Sequence, residues 1–408
     1  MLSVEQAREL LRQLPAPALD TLRVPLHEAL QRVLGADVVA PFDVPAHDNS
    51  AMDGYALNGA DLRTDADTTL LLAGTRLAGD RGAAAVARGS CLRIMTGAVM
   101  PPGCDTVVPQ ELCTLQGDQV VVPAGAVRAG DHRRLRGEDL ARGHLALPAG
   151  KLLRPAELGM LASLGIAEVP VRRRLRVAFF STGSELRSLG EPLAPGCVYD
   201  SNRYTLHGML ARLNCELIDL GVVRDEPAAL EAALRSACEC ADAVITSGGV
   251  SVGEADYTRQ IMARLGEVVH WHIAMRPGRP MAFGQIESAG RRAVLFGLPG
   301  NPVAVMVTFY HLVRDALLAM QGALPRALPL MRAVSATPIR KRPGRSEFQR
   351  GILTPRADGR WQVAITGAQG SGILRSMSES NAFIMLHHDQ GAVAAGDEVD
   401  VLPYEGLV

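Results

Sequence analysis

The sequence has no excess of charge of one sign and no long apolar run. Its 42 Lys and Arg residues balance 43 Asp and Glu residues, so no overall field exists to hold nucleic acid or an anionic membrane surface nonspecifically. Any anionic ligand must be bound locally. Runs of about 18 apolar residues are absent, and the N-terminal segment MLSVEQARELL carries acidic rather than basic side chains. We therefore expect neither a membrane span nor a signal peptide.

The seven cysteines lack any regular spacing. An odd, scattered set without CxxC pairs excludes the usual disulfide frameworks and zinc sites. Reduced thiols are typical of a cytoplasmic protein, which is the location that we expect. Nucleophile elbows, Walker loops and dinucleotide-binding fingerprints are also missing from the sequence. Covalent catalysis is therefore not expected.

The 408 residues are too many for one compact core, and their apolar pattern predicts an α/β multidomain protein. Three helices are predicted in the first half, from Ser3 to about Pro15, through LHEALQRVL to Gly35, and from Pro155 to Gly165. Residues 41–139 alternate short apolar runs with Gly and Pro, which predicts an inserted β-rich domain II. The flanking residues 1–40 and 140–175 then form a segmented helical domain I.

The second half of the chain has a different texture. Residues 176–326 alternate apolar strands with amphipathic helices, which predicts a doubly wound, mainly parallel α/β domain III. Residues 327–408 follow a proline-punctuated stretch and show short β-like runs separated by glycine turns. They predict a C-terminal small β-barrel, domain IV.

Three loops of the α/β domain share one design, in which an apolar strand ends in small residues and a helix follows. They are STGSEL (181–186), TSGGVSVGEADY (246–257) and LPGNPV (298–303). Small residues let a ligand approach backbone N–H groups, and a helix start favours anions. One glycine loop alone is equally well explained by a tight turn. Three at one sheet edge predict a phosphate-binding pocket.

Carboxylates accompany these loops. Glu185 lies in the first loop, Glu254 and Asp256 lie in the second, and Asp225 follows the strand LIDLGVV. Because a carboxylate repels a bound phosphate unless a hard cation lies between them, the combination predicts Mg²⁺. The alternative is that these acids only cap helix N-termini.

Two basic turns lie further along the chain. MRPGRP (275–280) contains Arg276 and Arg279, and RKRPGRSEFQRG (340–351) contains Arg342, Arg345 and Arg350. Guanidinium groups suit tetrahedral oxyanions, so the two turns predict a second anion site. A solvated basic surface is the alternative.

Other candidate residues are less informative on their own. Asp53 in DNSAMDGYAL and Thr96 in IMTGAVMPPGCDTVV lie in what look like ordinary turns. His270 and His272 alternate on a predicted strand, with the spacing of a metal pair. Without a third ligand nearby in the sequence, a core or substrate-facing role is favoured for both histidines.

Taken in order, the motifs resemble one family, the MoeA family of molybdopterin molybdenumtransferases, to which the E domain of gephyrin also belongs. Nine segments carry the resemblance over essentially the whole chain: NSAMDGYA, IMTGAVMPPGCDTVV, RGEDL, FSTGSEL, VRDEP, TSGGVSVGEADY, RPGRPMAFG, LPGNPV and FQRG. The resemblance implies four subdomains and a homodimer with active sites between protomers. It also implies that Asp53 and Thr96 reach the α/β pocket of the other subunit.

The reaction implied by the resemblance is the insertion of molybdenum from molybdate into adenylylated molybdopterin, with Mg²⁺ bound and AMP released. The implied catalytic residues are Asp53, Asp139, Glu185, Asp225 and Asp256, of which the last three serve Mg²⁺ or position water. The implied molybdate contacts are Arg276, Arg279, Arg345, Arg350 and Ser371. The implied substrate contacts are Thr96, Thr182, Gly183, Ser184, Ser247, Gly248, Gly249, Ser251, Gly253, Pro299, Gly300, Asn301 and Pro302.

The sequence departs from the family pattern at several positions. Arg276 and Arg279 replace frequent lysines, His272 stands where another lysine can stand, Ala304 replaces a frequent serine, and Ser184 replaces a common aspartate. An arginine grips an oxyanion with a broader fork than a lysine does, so the choice between molybdate and tungstate stays open.

Two other functions are weighed against molybdenum insertion. A molybdopterin adenylyltransferase would need only the α/β domain, and a noncatalytic scaffold would not need the acidic loop. The resemblance also implies transient contacts with the molybdopterin adenylyltransferase and with molybdoenzyme maturation proteins.

Overall fold

The structure is a computed structural model that describes residues 1–80, 84–249, 256–405 and 407. The chain forms two compact units. Unit 1 comprises residues 1–35, 150–154 and 169–408, and unit 2 comprises residues 36–149 and 155–168. The predicted division into four domains is finer than these two units and stays a prediction.

Unit 1 begins with helix α1 (Val4–Arg12) and strand β1 (Thr21–Pro25). Ser3 caps α1 as predicted, because its hydroxyl accepts a hydrogen bond from the Gln6 N–H while the Gln6 side chain accepts one from the Ser3 N–H. Val4, Ala7 and Leu11 lie on one buried face, at the spacing of an amphipathic helix. Burial of this face attaches the helix to the core of unit 1.

The predicted helix through LHEALQRVL is wrong. Only a single 3₁₀ turn forms (Leu26–Glu28), and Gln31 adopts a φ of +59°. The N–H of Gln31 donates to the Leu153 carbonyl and that of Leu34 to the Lys151 carbonyl. Bonds to a segment about 120 residues away therefore replace the local bonds that a helix would have made.

Unit 2 contains the predicted β-rich insertion. The elements in chain order are β2 (Val38–Val39), β3 (Asn49–Ser50), β4 (Gly54–Leu57), a 3₁₀ helix (Gly59–Asp61), β5 (Thr68–Arg76), β6 (Ser90–Ile94), β7 (Thr106–Pro109), a 3₁₀ helix (Gln110–Leu112), β8 (Thr114–Gln116), β9 (Gln119–Val122), β10 (Arg133–Arg134), β11 (Leu145–Leu147) and α2 (Pro155–Ser163). Six of these strands form one sheet in the order β7-β4-β6-β5-β9-β8.

The chain then enters the α/β region of unit 1. Its elements in chain order are β12 (Glu168–Arg172), β13 (Arg176–Thr182), β14 (Leu186–Arg187), β15 (Val198–Tyr199), α3 (Ser201–Arg212), β16 (Glu216–Val223), α4 (Pro227–Cys240), β17 (Ala243–Ser247), α5 (Asp256–Leu265), β18 (Gly266–His272), β19 (Met275–Arg276), β20 (Pro280–Ser288) and β21 (Arg291–Leu298). Six of these strands form one sheet in the order β16-β13-β17-β21-β20-β18. Strands β13, β16, β17 and β21 are parallel, whereas β20 and β18 are antiparallel.

Both faces of this sheet are covered. Along β13, Val177 and Phe179 belong to one buried cluster, while Ala178 and Phe180 belong to another. Successive side chains of a strand point to opposite faces, so a continuous apolar run needs cover on both sides. The predicted doubly wound, mainly parallel sheet is confirmed.

An apolar helical segment follows the sheet, made of α6 (Pro302–Thr308), a π-helical turn (Phe309–Val313) and α7 (Arg314–Met320). Judged by length and composition alone, this segment is long and apolar enough to cross a membrane. Its most apolar window is 72% buried inside the protein, as in the core helix of a globular unit.

The C-terminal part of unit 1 is the predicted small barrel. Its elements are β22 (Met331–Ser335), β23 (Ser346–Pro355), β24 (Trp361–Ile365), α8 (Arg375–Glu379), β25 (Ala382–Leu386) and β26 (Glu398–Pro403). The strands pair in the order β23, β24, β22, β26 and β25, and β25 closes on β23. The short strand β19 adds to β23 in parallel, which connects the α/β region to the barrel.

Candidate functional site

The three predicted loops meet at the carboxyl edge of the parallel strands. The N–H of Gly248 donates to the Leu298 carbonyl at 3.1 Å. Gly248 has a φ of +92°, and a Cβ there would lie 2.3 Å from the Thr182 carbonyl oxygen. Only glycine fits this approach. The loops that follow β13, β17 and β21 therefore form one wall, which we call the strand-edge pocket.

Two residues that the sequence did not single out hold this wall together. The Asn202 side-chain NH₂ donates to the Ser247 hydroxyl and to the Gly300 carbonyl, both at 2.7 Å. The Asp200 carboxylate accepts from the Ser181 hydroxyl at 2.9 Å and caps α3. One helix start thus contacts all three loops. The sequence DSN at 200–202 looks only like a helix cap, so its long-range contacts could not be predicted.

Several buried polar atoms at this edge have no hydrogen-bond partner among the residues that the structure describes. They are Thr182 Oγ1, Thr246 Oγ1 and Asn202 Oδ1. Burial of such a group without a partner costs about 1–3 kcal/mol. A polar ligand that supplies hydrogen bonds here would remove part of that cost.

The first loop differs from its predicted design, because no helix follows it directly. STGSEL leads into the two-stranded ribbon of β14 and β15, and α3 begins only at Ser201. The intervening sequence SLGEPLAPG contains two prolines and two glycines, which oppose a helix. The helix start near this loop is therefore that of α3, already occupied by Asp200.

The predicted carboxylates lie on the same edge as far as the structure describes them. Glu185 and Asp225 follow β13 and β16, whose ends pair at Thr182 and Val223. The Glu185 side chain folds back toward Gly183, and its Oε2 lies 2.7 Å from the position that a Cβ on Gly183 would occupy. Asp256 begins α5, but its side chain lies outside the described atoms. Residues 250–255, which include the predicted Ser251, Gly253 and Glu254, lie outside the described residues.

The basic turns line a separate cleft between the α/β region and the barrel of unit 1. Its volume is about 350 Å³. Three guanidinium groups and one carboxylate line it, from Arg276, Arg340, Arg350 and Glu347. We call it the arginine cleft. The predicted pairing of the two basic turns is therefore seen at Arg276 and Arg350, while Arg340 and Glu347 were not predicted as site residues.

Arg350 is the most buried residue of this cleft, with 1% exposure. Its Nε donates to the Ser376 hydroxyl at 3.0 Å, and its NH2 donates to the Gly370 carbonyl at 3.1 Å. Burial lowers the pKa of this guanidinium. Arg350 thus also holds the segment that contains Ser371.

The arginine cleft and the strand-edge pocket are linked through that segment. The Ser371 carbonyl accepts a hydrogen bond from the N–H of Val303 at 3.0 Å. Val303 lies in the first turn of α6, directly after the predicted loop residues Pro299, Gly300, Asn301 and Pro302. This backbone hydrogen bond joins the segment that Arg350 holds to the first turn of α6.

The remaining basic residues lie at the periphery. Arg279 is exposed, and its carbonyl accepts from the Ile273 N–H. Arg345 lies beside the cleft, where its Nε donates to Glu347 at 2.9 Å. His272 is exposed at the end of β18, whereas His270 is partly buried. Among the described residues, no group of three or more His, Cys, Asp or Glu side chains is placed to hold a metal ion.

In unit 2 the structure brings Asp53 and Thr96 together. The Asp53 carboxylate accepts hydrogen bonds from the Thr96 N–H and hydroxyl, both at 2.7 Å. The backbone bond and then the hydroxyl bond lower the pKa of Asp53, so the exposed group is ionised at neutral pH. Asp139 is also exposed, on the loop before β11, and its N–H donates to the Val44 carbonyl.

Family models match three consecutive segments of the chain. The model described as "MoeA N-terminal region (domain I and II)" matches residues 2–165. The model described as "Probable molybdopterin binding domain" matches residues 178–319. The model described as "MoeA C-terminal region (domain IV)" matches residues 332–404.

Individual proteins are similar over nearly the full length. A molybdopterin molybdenumtransferase of Haemophilus influenzae is 42% identical over 410 residues, which cover 100% of both chains. A molybdopterin molybdenumtransferase of a Nostoc species is 36% identical over 388 residues, covering 94% of this chain and 88% of its own. A crystal structure of a molybdopterin biosynthesis moeA protein from Pyrococcus horikoshii has a TM-score of 0.81 and 30% identity, covering 99% of this chain and 100% of that one.

Proposed function

The chain belongs to the molybdopterin molybdenumtransferase family, and from this premise we propose that it inserts molybdenum from molybdate into adenylylated molybdopterin, using Mg²⁺ and releasing AMP. The observation that carries the proposal is the presence of two linked sites of different chemistry in one compact unit. The strand-edge pocket offers backbone and hydroxyl groups, and the arginine cleft offers guanidinium groups. One suits the phosphates of a pterin nucleotide, and the other suits a tetrahedral oxyanion.

The strand-edge pocket supports the nucleotide part of the proposal. The close approach of Gly248 to the Thr182 carbonyl packs two of the loops together. The hydroxyls of Thr182 and Thr246, which have no partner among the described residues, can bond a polar ligand. Asn202 keeps Ser247 and Gly300 in fixed positions. In this proposal these loop residues bind and orient the substrate, so that its reacting end points toward the Ser371 segment.

Mg²⁺ is the cation that we propose for this pocket, and the residues present fit it. Glu185 and Asp225 follow neighbouring parallel strands, and Asp256 begins α5. All three are hard oxygen donors of the kind that Mg²⁺ prefers, and the ion normally takes only one or two carboxylates beside phosphates and waters. When bound, Mg²⁺ neutralises charge on phosphate oxygens. Of the three carboxylates, one that does not bind the ion would position water.

The arginine cleft supports the molybdate part of the proposal. Arg276 and Arg350 line a volume of about 350 Å³, and Ser371 lies on the segment that Arg350 holds. Guanidinium groups bind tetrahedral oxyanions through pairs of parallel hydrogen bonds. In this proposal they orient molybdate, while Arg279 and Arg345 add positive charge at the periphery.

We propose a homodimer in which Asp53, Thr96 and Asp139 of one subunit complete the site of the other. The transient partners would be the molybdopterin adenylyltransferase and molybdoenzyme maturation proteins, in the cytoplasm. The exposed, ionised Asp53 carboxylate beside Thr96 is the observation that supports a role for these residues outside their own unit.

The cation is tested by measuring AMP release from adenylyl-molybdopterin and molybdate with Mg²⁺ or with a chelator. We expect the chelator, and separately Asp225→Asn, to slow release at least about 100-fold, because charge stabilisation by the cation is lost. Asp358→Asn, which changes a carboxylate on an exposed turn of the barrel between Arg356 and Arg360, is the matched control. Undiminished release in the presence of the chelator would contradict the role of Mg²⁺.

A further inference from the structure

A buried carboxylate lies in the arginine cleft, where an oxyanion would be expected to meet only positive charge. Glu347 is 2% exposed and lines the cleft together with Arg276, Arg340 and Arg350. A buried charge of the same sign as the expected ligand lowers the affinity for that ligand, unless it has another effect that compensates. The contacts of Glu347 indicate what that effect is.

Glu347 is held between cations from two different segments. Its Oε1 accepts a hydrogen bond from Arg345 Nε at 2.9 Å, and its Oε2 lies 3.9 Å from Arg276 NH1. The parallel pairing of β19 with β23 places residue 276 directly beside residue 347. The neighbouring Gln349 side chain donates to Oε2 at 3.2 Å and fixes the carboxylate. Both basic turns are therefore attached to one buried group.

The two guanidinium groups that Glu347 contacts are the exposed partners of these pairs. The Arg276 side chain is 55% exposed and that of Arg345 is 42% exposed, against 3% for Glu347. Ion pairs with such exposed partners add little to folding stability. Long arginine side chains do lose rotamer freedom when a buried acceptor holds them. The main effect of Glu347 is thus on where these guanidinium groups point.

Glu347 also sets the charge of the cleft. Its lining contains three guanidinium groups and one carboxylate, a net formal charge of +2 that matches a tetrahedral dianion. Without the carboxylate the lining would carry three uncompensated positive charges. Electrostatic attraction would then favour anions of higher charge, whatever their shape.

We propose that Glu347 is a positioning and specificity-determining residue of the arginine cleft, which orients Arg276 and Arg345 and matches the cleft to a tetrahedral dianion. This inference rests on the proposed function, because it takes molybdate as the ligand of the cleft. Glu347 touches the guanidinium groups rather than the reacting atoms. It acts through the two arginines.

Calorimetric titration of the purified protein with molybdate and with pyrophosphate tests the inference. Glu347→Gln keeps the shape of the side chain and removes its charge. We expect it to weaken molybdate binding about tenfold, roughly the effect of losing one charge-assisted hydrogen bond, and to strengthen pyrophosphate binding. Glu347→Asp keeps the charge but withdraws the carboxylate from the arginines. We expect this variant to bind pyrophosphate as weakly as the unchanged protein does. Its affinity for molybdate should lie between those of Glu347→Gln and the unchanged protein.

Kinetics separate positioning from a purely structural role. In Glu347→Gln we expect a raised KM for molybdate, with kcat and the KM for adenylyl-molybdopterin within about twofold of the unchanged protein, because the lost interaction acts on molybdate binding. The control Asp358→Asn removes a carboxylate between two arginines elsewhere on the barrel. It should leave the affinity for molybdate and for pyrophosphate unchanged. Thermal melting checks that every variant is folded.

Two outcomes would overturn the inference. One is that Glu347→Gln binds both anions with unchanged affinity. The other is an equal loss of affinity for both anions together with a lower melting temperature, which would show a structural role only. A failure of the proposed function looks different. In that case the unchanged protein would not release AMP in response to molybdate, whatever happens at residue 347.

Discussion

At the scale of single residues, His311 is the clearest departure from ordinary core chemistry. Its ring is buried and stacks on Phe348 at a centroid distance of 3.9 Å, and neither ring nitrogen has a hydrogen-bond partner in the part of the chain that the structure describes. Burial, and then the charge of Arg8, lowers the pKa of His311 well below its usual value of 6.5. The folded protein therefore keeps this histidine neutral behind the β23 residues that line the arginine cleft.

This burial predicts a pH dependence of stability. Below about pH 6.5 the unfolded chain binds a proton at His311 that the folded chain does not bind, so the free energy of unfolding falls as the pH falls, by up to about 1.4 kcal/mol per pH unit. Above about pH 6.5 both states are neutral and this dependence ends. His311→Phe keeps the stacking and removes the titration.

The measurement is the difference in melting temperature between His311→Phe and the unchanged protein at pH 5 and at pH 8. We expect the difference to shift in favour of the variant at pH 5. A difference that is the same at both pH values would show that His311 is protonated in the folded state or does not titrate in this range.

Single residues were also the hardest to predict from the sequence. Glu185 and Asp225 could be placed at the carboxyl edge, because each follows an apolar strand of a parallel sheet. Asn202 and Glu347 could not be singled out, because their contacts join segments that are distant in the chain. Asn202 resembles a position in a helix cap, and Glu347 resembles an acid within a basic run.

At the scale of elements, apolar periodicity predicted the strands of the α/β region and of the barrel, since each has a buried face. It failed for residues 26–34, where long-range backbone bonds replace the predicted helix. The pattern LHEALQRVL suits either structure. Only the presence of residues 151–153 as hydrogen-bond partners decides between them.

The first turn of α3 is the element on which the strand-edge pocket depends most. Asn202→Ala removes the bonds to Ser247 and Gly300, which frees two loops from each other. We expect a KM for adenylyl-molybdopterin raised at least about tenfold and a loss of stability of about 1–3 kcal/mol. Steady-state kinetics and chemical denaturation measure the two effects.

A matched control exists in the barrel, where Asn381 exchanges two hydrogen bonds with the backbone of Leu353. Asn381→Ala should lower stability by a similar amount and leave the KM for adenylyl-molybdopterin unchanged. Equal effects of the two variants on this KM would show that general destabilisation, rather than the loop contacts of Asn202, causes the loss.

At the scale of the whole molecule, the fold class and the family could be predicted because ordered motifs extend over the entire chain. The relation between the two units could not be predicted from the sequence. Asp53 and Thr96 form a hydrogen-bonded pair within unit 2, and nothing in their local sequence distinguishes this pair from an ordinary turn. Their proposed role depends on a second copy of the chain, which no pattern of periodicity or spacing encodes.

Mixed dimers test the proposed shared site. Asp53→Ala and Asp225→Asn should each be nearly inactive alone, because each damages every site of its own dimer. After subunit exchange, about half of the dimers are mixed and contain one intact site of two, so about a quarter of full activity should return. No recovery, with exchange verified by mass spectrometry, would place all of these carboxylates in one subunit's site.

The central claim is that the protein transfers molybdenum to molybdopterin. The most direct measurement incubates the purified protein with adenylyl-molybdopterin and Mg²⁺, with and without molybdate, and determines AMP and pterin-bound molybdenum together. We predict that AMP appears only when molybdate is present and that one molybdenum is bound for each AMP released. AMP release that does not depend on molybdate, or pterin that stays free of molybdenum, would contradict the account.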